Sequence, residues 1–176
     1  MNFKTLIAAG LATVALSGAA LAGPVDLTVS QTSAGGLGSR NNATINSTAS
    51  GSSNVFVSQD GASRQNMNVN ARSGGSNTFT GVQTNGGVNS MNTNLRAGRG
   101  GVDAVIVQDG RFANRATFNA STPGAVKLDA FQNAGRSNSL TGTLRAPGGV
   151  SGGIAQNTFR PGGINNVGLN VLSLRR

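Results

Sequence analysis

The sequence predicts an all-β fold: a β-solenoid of six stacked strand–arch–strand repeats in a cross-β arrangement, with uncapped ends. Three observations predict it. Glutamines stand at 31, 59, 83, 108, 132 and 156, at intervals of 28, 24, 25, 24 and 24 residues, and a nearly constant period of this size marks a repeat architecture. Around each glutamine apolar residues alternate with polar ones, the period of a half-buried strand. The chain has no Cys, His, Trp, Tyr or Glu and 27 glycines in 176 residues, too few bulky side chains for a thick core. Regular backbone pairing must then supply the stability. Gly- and Asn-rich chains often stay unfolded, but the period kept across six units argues against that here.

Residues 1–22 are set apart from the repeats. Lys4 precedes the apolar run "LIAAGLATVAL", and "ALA" at 20–22 has the small-x-small pattern of a cleavage site. This is the form of a secretory signal peptide cut after Ala22, and the run is too short to span a bilayer. The expected mature chain is 23–176, a single repeat domain. An exported chain without cysteine forgoes disulfide support.

The units follow in order. Before each glutamine, the residues sharing its face are Leu27 and Val29, Val55 and Val57, Phe79 and Gly81, Ala104 and Ile106, Leu128 and Ala130, and Gly152 and Ile154. Six residues after the glutamine of the four middle units comes a second amide: Gln65, Asn89, Asn114 and Asn138. The end units lengthen the arch but keep the parity, with Asn41 leading Ala43 and Ile45, and Asn165 leading Val167, Leu169 and Val171. Asn, Thr, Arg and Ser fill the intervening positions of the second strands, as a solvated face requires. Clusters such as "RSGGS", "RAGRGG", "STPGA" and "RAPGG" turn the chain back for the next unit.

One such unit cannot bury its apolar face, whereas stacked units can. Stacking places equivalent strands about 4.8 Å apart. Gln31, Gln59, Gln83, Gln108, Gln132 and Gln156 then form one amide ladder, and Asn41, Gln65, Asn89, Asn114, Asn138 and Asn165 a second. Each carboxamide donates to its neighbour along the stack, which removes the penalty of about 1–3 kcal/mol for a buried unpaired amide. Turn preference explains asparagines, but not six glutamines in phase.

With "VSQDG…QNMNV", "VQTNGG…NSMNT", "VQDGRFANRATF" and "FQNAGRSNSLTG", the chain resembles the curlin family, the subunits of curli, which are functional amyloid fibres of bacterial surfaces. The resemblance covers all six units. The second amide lies one residue further from the glutamine than in the most familiar curlin repeat, Gln65 stands in place of asparagine, and no Gly/Asn-rich leader separates Ala22 from the first unit. The resemblance implies export through the periplasm and an outer-membrane secretion pore. It further implies polymerisation on a fibre nucleator into a homopolymer serving adhesion and biofilm matrix at the extracellular surface. The regular ladder favours the major subunit over the nucleator. A monomeric secreted β-solenoid that binds a carbohydrate or ice surface is the alternative from another class.

Enzyme chemistry is not expected. The usual general bases and thiol nucleophiles are missing, and the only acidic side chains are Asp26, Asp60, Asp103, Asp109 and Asp129. Asp60 and Asp109 share a turn position about two layers apart, and both read as turn residues. No cofactor, metal site or phosphate loop is expected. The formal charge is +9, carried almost wholly by arginine. Arg72, Arg96 and Arg145 share one position after the second strand, while Arg64, Arg111 and Arg136 are expected to cluster in the arch. These are the candidates for contact with an acidic polysaccharide, extracellular DNA or an anionic membrane. No interleaved aromatics point to base-specific reading. Arginines beside aggregation-prone strands also act as solubilising gatekeepers.

Overall fold

The computed structural model describes residues 2–9, 12–17, 23–33 and 38–173, of which 2–9 and 12–17 are described as backbone only. Twelve strands form one parallel sheet system, and no helix occurs among the described residues. They are β1 (Asn2–Ala9), β2 (Ala12–Ser17), β3 (Val25–Thr32), β4 (Arg40–Ala49), β5 (Ser53–Asp60), β6 (Arg64–Ser73), β7 (Asn77–Arg96), β8 (Val102–Ser121), β9 (Val126–Ala134), β10 (Ser137–Arg145), β11 (Val150–Thr158) and β12 (Ile164–Leu172).

The six repeats are the six layers of a β-solenoid. The first is β3 with β4, the second β5 with β6, the fifth β9 with β10, and the sixth β11 with β12. In the third and fourth layers the chain keeps strand geometry round the arch, so that β7 and β8 each supply both arms. First arms stack on first arms and second arms on second arms, always in parallel. The glutamines fall in register: Gln31↔Gln59, Gln59↔Gln83, Gln83↔Gln108, Gln108↔Gln132 and Gln132↔Gln156. An in-register parallel stack puts each residue type against its equivalent, so identical polar side chains can pair with one another.

The alternation seen in the sequence becomes burial. Strand β5 alternates buried and solvated residues along its whole length, and β6 does so from Gln65 to Arg72. The inward residues of the two arms meet in one continuous core, from Leu27, Val29, Ala43 and Ile45 in the first layer to Leu140 and Leu144 in the fifth. The core is thin, so volume is balanced within it. Phe79, Gly81 and Met91 share the third layer, where a Cβ on Gly81 would lie 2.7 Å from both the Met91 Cε and the Phe79 Cζ. Phe118 in the fourth layer is accompanied by Ala104, Ala116 and Ala120, all buried.

The segment expected to be a leader stacks as a further layer in the full chain. Strand β1 pairs with β3 and β2 with β4, for example Ala8↔Gln31 and Ala12↔Asn41. The cleavage motif at 20–22 lies outside the described residues, as do Arg175 and Arg176.

Candidate functional site: the amide ladders and the two outer faces

Among the described residues no group of three or more carboxylates comes together as a metal site would require, and the regularity of the fold points to the rows. The glutamine row is a complete ladder. Gln59 Nε2 donates to Gln31 Oε1 at 2.6 Å, Gln83 to Gln59 at 2.8 Å, Gln108 to Gln83 at 2.7 Å, Gln132 to Gln108 at 2.6 Å and Gln156 to Gln132 at 2.6 Å. The same Nε2 groups also donate across the arch, to the carbonyls of Asn66, Ser90, Arg115, Ser139 and Asn166 in their own layers. Each glutamine therefore fastens its layer to the preceding one and its first arm to its second. The five from Gln31 to Gln132 are fully buried, where every polar atom needs a partner.

The second row is a ladder only in its later half, contrary to the expectation of six. Asn89 donates to Asn114 Oδ1, Asn114 to Asn138 Oδ1 and Asn138 to Asn165 Oδ1, at 3.0, 3.0 and 2.9 Å. Asn41 and Gln65 do not join it. Their amides donate to the Asp60 and Thr84 carbonyls of the following layer, leaving Asn41 Oδ1, Gln65 Oε1 and Asn89 Oδ1 without partners. The side-chain links fail on both sides of Gln65, the one glutamine in this row. Carbonyl bonding persists in every layer, since Asn89, Asn114 and Asn138 likewise donate to the Asp109, Asn133 and Asn157 carbonyls. The two rows have opposite polarity: glutamines donate toward the first layer, second amides toward the sixth.

A third ladder was missed in the sequence because its members are outward-facing. Asn70 donates to Asn46, Asn94 to Asn70 and Asn119 to Asn94, at 3.0, 3.0 and 2.9 Å. The signal that locates it is asparagine recurring at one parity: Asn46, Asn70, Asn94, Asn119. These asparagines border a groove of about 910 Å³ on the outside of the second arms, whose other margin carries Arg72, Arg96 and Arg145. Arg72 and Arg96 are adjacent, and Ser121 separates Arg96 from Arg145. The expected arch cluster of arginines is not a row. Arg64 pairs with Arg40 and Val88 at the start of the second arm. Arg136 instead lies over the Phe112 ring at 6.0 Å, with Arg160 over the same ring at 5.9 Å, and Arg111 belongs to neither arrangement. The cause is that the three occupy different offsets from the glutamine, and only equal offsets stack.

The outer face of the first arms is different again. It carries all five aspartates, and between them the outward side chains Phe56, Val82, Val105, Val107 and Phe131; Phe56 is 41% exposed and Phe131 47%. This apolar stripe departs from the expectation of one apolar face per unit. Asp60 accepts from Thr84 and Asn85, Asp109 from Asn133, and Asp26 from Asn54, bonds that each tie one layer to the next. Lys127 bonds Asp129 at 3.1 Å, the only ion pair among the described residues. Hydrogen bonds from the Lys127 ammonium and the Gly153 amide hold the Asp129 carboxyl below its ordinary value, while the bond to Asp129 raises Lys127.

The sixth layer leaves its inward face uncovered. Ile154, Val167 and Val171 are 39%, 47% and 48% exposed. Their equivalents one layer earlier, Ala130, Leu140 and Leu144, are buried. No protein-family model, curated protein or solved structure significantly matches the chain.

Proposed function

We propose that this chain is a secreted structural subunit that assembles, layer upon layer, into an extracellular curli-like cross-β fibre for adhesion and biofilm matrix. The observation that carries the reading is the uncovered inward row of the sixth layer. Ile154, Val167 and Val171 stand in line with buried rows, as a template for one more layer of the same kind. An open strand edge with an apolar face is a site of further pairing.

The polarity of the second row supports a head-to-tail order. Asn41 Oδ1 in the first layer lacks a donor, and Ala12, its neighbour in the full chain, carries no carboxamide to supply one. An Asn165 amide from a preceding copy would supply one. Cleavage after Ala22 would remove β1 and β2 and open the β3 and β4 edges to that copy. The unbroken glutamine ladder favours the major subunit over the nucleator. The fibre nucleator and secretion pore are partners proposed from the family resemblance. No enzyme activity is proposed.

The test is assembly of residues 23–176 at neutral pH and micromolar concentration. We expect unbranched fibres whose diffraction shows a repeat of about 4.8 Å. A monodisperse monomer after days would overturn the fibre reading and favour a monomeric surface-binding solenoid.

A further inference from the structure

We infer that the two outer faces of the solenoid are complementary, and that fibres bundle by docking the arginine face of one copy on the aspartate–phenylalanine face of another. The inference rests on the fibre reading and extends it from the ends of the subunit to its sides.

The charge is segregated by arm. Asp26, Asp60, Asp103, Asp109 and Asp129 all lie on first arms, accompanied there by one cation, Lys127. Arg40, Arg64, Arg72, Arg96, Arg115 and Arg145 all project from the outer face of second arms, which carries no carboxylate. None of these arginines has an ion-pair partner among the described residues. The acidic face also bears the exposed rings of Phe56 and Phe131. Guanidinium suits both components: it pairs with carboxylates and, being weakly hydrated, stacks on aromatic rings. The chain already uses that contact at its arch, where Arg136 and Arg160 flank the Phe112 ring.

Geometry adds a second match. Both faces share the same strand spacing of about 4.8 Å, so a shift by whole layers can set the spaced aspartates, such as Asp26 and Asp103 three layers apart in one row, opposite arginines of a second copy. Pairing acidic face with acidic face would cover the phenylalanines but set like charges together. The pairing is heterologous and leaves each copy with one face free, so it propagates sideways rather than closing as a dimer.

The test uses preformed fibres of residues 23–176, with bundle width read by electron microscopy and bundling by low-speed sedimentation. We expect bundles to separate into single filaments as salt rises from about 0.01 M to about 1 M, where the Debye length falls from roughly 30 Å to roughly 3 Å. D103K/D109K fibres and R72D/R96D fibres should each remain single, yet bundle when mixed. The milder D103N/D109N pair, which should narrow the bundles, keeps the test available should the reversals fail to assemble. Bundles that tighten with salt and vanish in F56S/F131S would show apolar self-pairing and overturn the proposal. So would bundles that form only when a polyuronate is added, which would assign the arginine groove to an acidic polysaccharide. Wild-type chains that form no filaments would overturn the fibre reading and this pairing together, whereas single filaments at every salt concentration would overturn the pairing alone.

Discussion

Gln83 donates from Nε2 to Gln59 Oε1 at 2.8 Å, and its own Oε1 accepts from Gln108 at 2.7 Å. With the bond from the same amide to the Ser90 carbonyl at 3.1 Å, one side chain in the centre of the stack connects three layers and both arms. Bonds arranged in such a chain also polarise one another.

Gln83→Ala therefore removes the Gln83 donor from the buried Gln59 Oε1 and from the Ser90 carbonyl, and leaves Gln108 Nε2 with only its bond to the Arg115 carbonyl, at a cost of about 1–3 kcal/mol for each group water cannot reach. Asn92→Ala is the control, because Asn92 is exposed on the outer face. Asn94 is unsuitable, being a member of the outer ladder. We expect Gln83→Ala to lower the denaturation midpoint and slow elongation well beyond Asn92→Ala. Equal effects of the two substitutions on fibre growth and denaturant resistance would refute a stabilising role for the ladder.

Gly81 tests the volume balance of the core. A Cβ there meets the Met91 Cε and Phe79 Cζ at 2.7 Å, and both neighbours are fully enclosed. Gly81→Val should overpack the third layer and destabilise it by about 1–3 kcal/mol. Combining it with Met91→Ala should recover part of that loss, because the space removed and the space added adjoin. Chemical denaturation of the two variants checks this, and failure of the second substitution to help would place the strain elsewhere.

The glutamine ladder, the layer count and the buried faces were legible in the sequence because a parallel in-register stack converts a constant interval directly into a contact. Gln83 and Gln108 are 25 residues apart, and that spacing already puts them one above the other. Reading failed where length or parity changed. Gln65 keeps its place in the register and the carbonyl bond of its row but not the side-chain links, so identity of chemical class did not give identity of contact. The Asn46–Asn119 ladder gives no decisive signal, because asparagines at outward positions fit a solvated face equally well. The Phe56 and Phe131 stripe lies at outward positions of the first arms, about which the inward apolar parity carries no information.

The final expectation concerns which layer meets which. In the row containing Leu27, large and small side chains alternate through Phe79, Ala104, Leu128 and Gly152. A head-to-tail copy would set Gly152 against Leu27, continuing the alternation. The arches agree as well. Gln31 reaches across to the Asn42 carbonyl, 11 residues on, and Gln156 to that of Asn166, 10 residues on, whereas the middle glutamines span 7. The two long arches would thus adjoin at the junction between copies. Deleting residues 150–176 leaves five repeat layers but offers Leu128 to Leu27 and a short arch to a long one. It also discards the Asn165 amide that the unpartnered Asn41 Oδ1 needs. Asn138 would then head the truncated row, and it lies within a different arch. We expect full-length seeds to be elongated several-fold more slowly by the truncated monomer than by residues 23–176 at equal concentration, since a loss of about 1.4 kcal/mol in docking corresponds to tenfold. Asn165→Ala in the intact mature chain should show a smaller slowing in the same direction. If the truncated chain extends the seeds as fast as the intact one, the sixth layer is not the docking surface, and the order of copies in the fibre must be assigned differently.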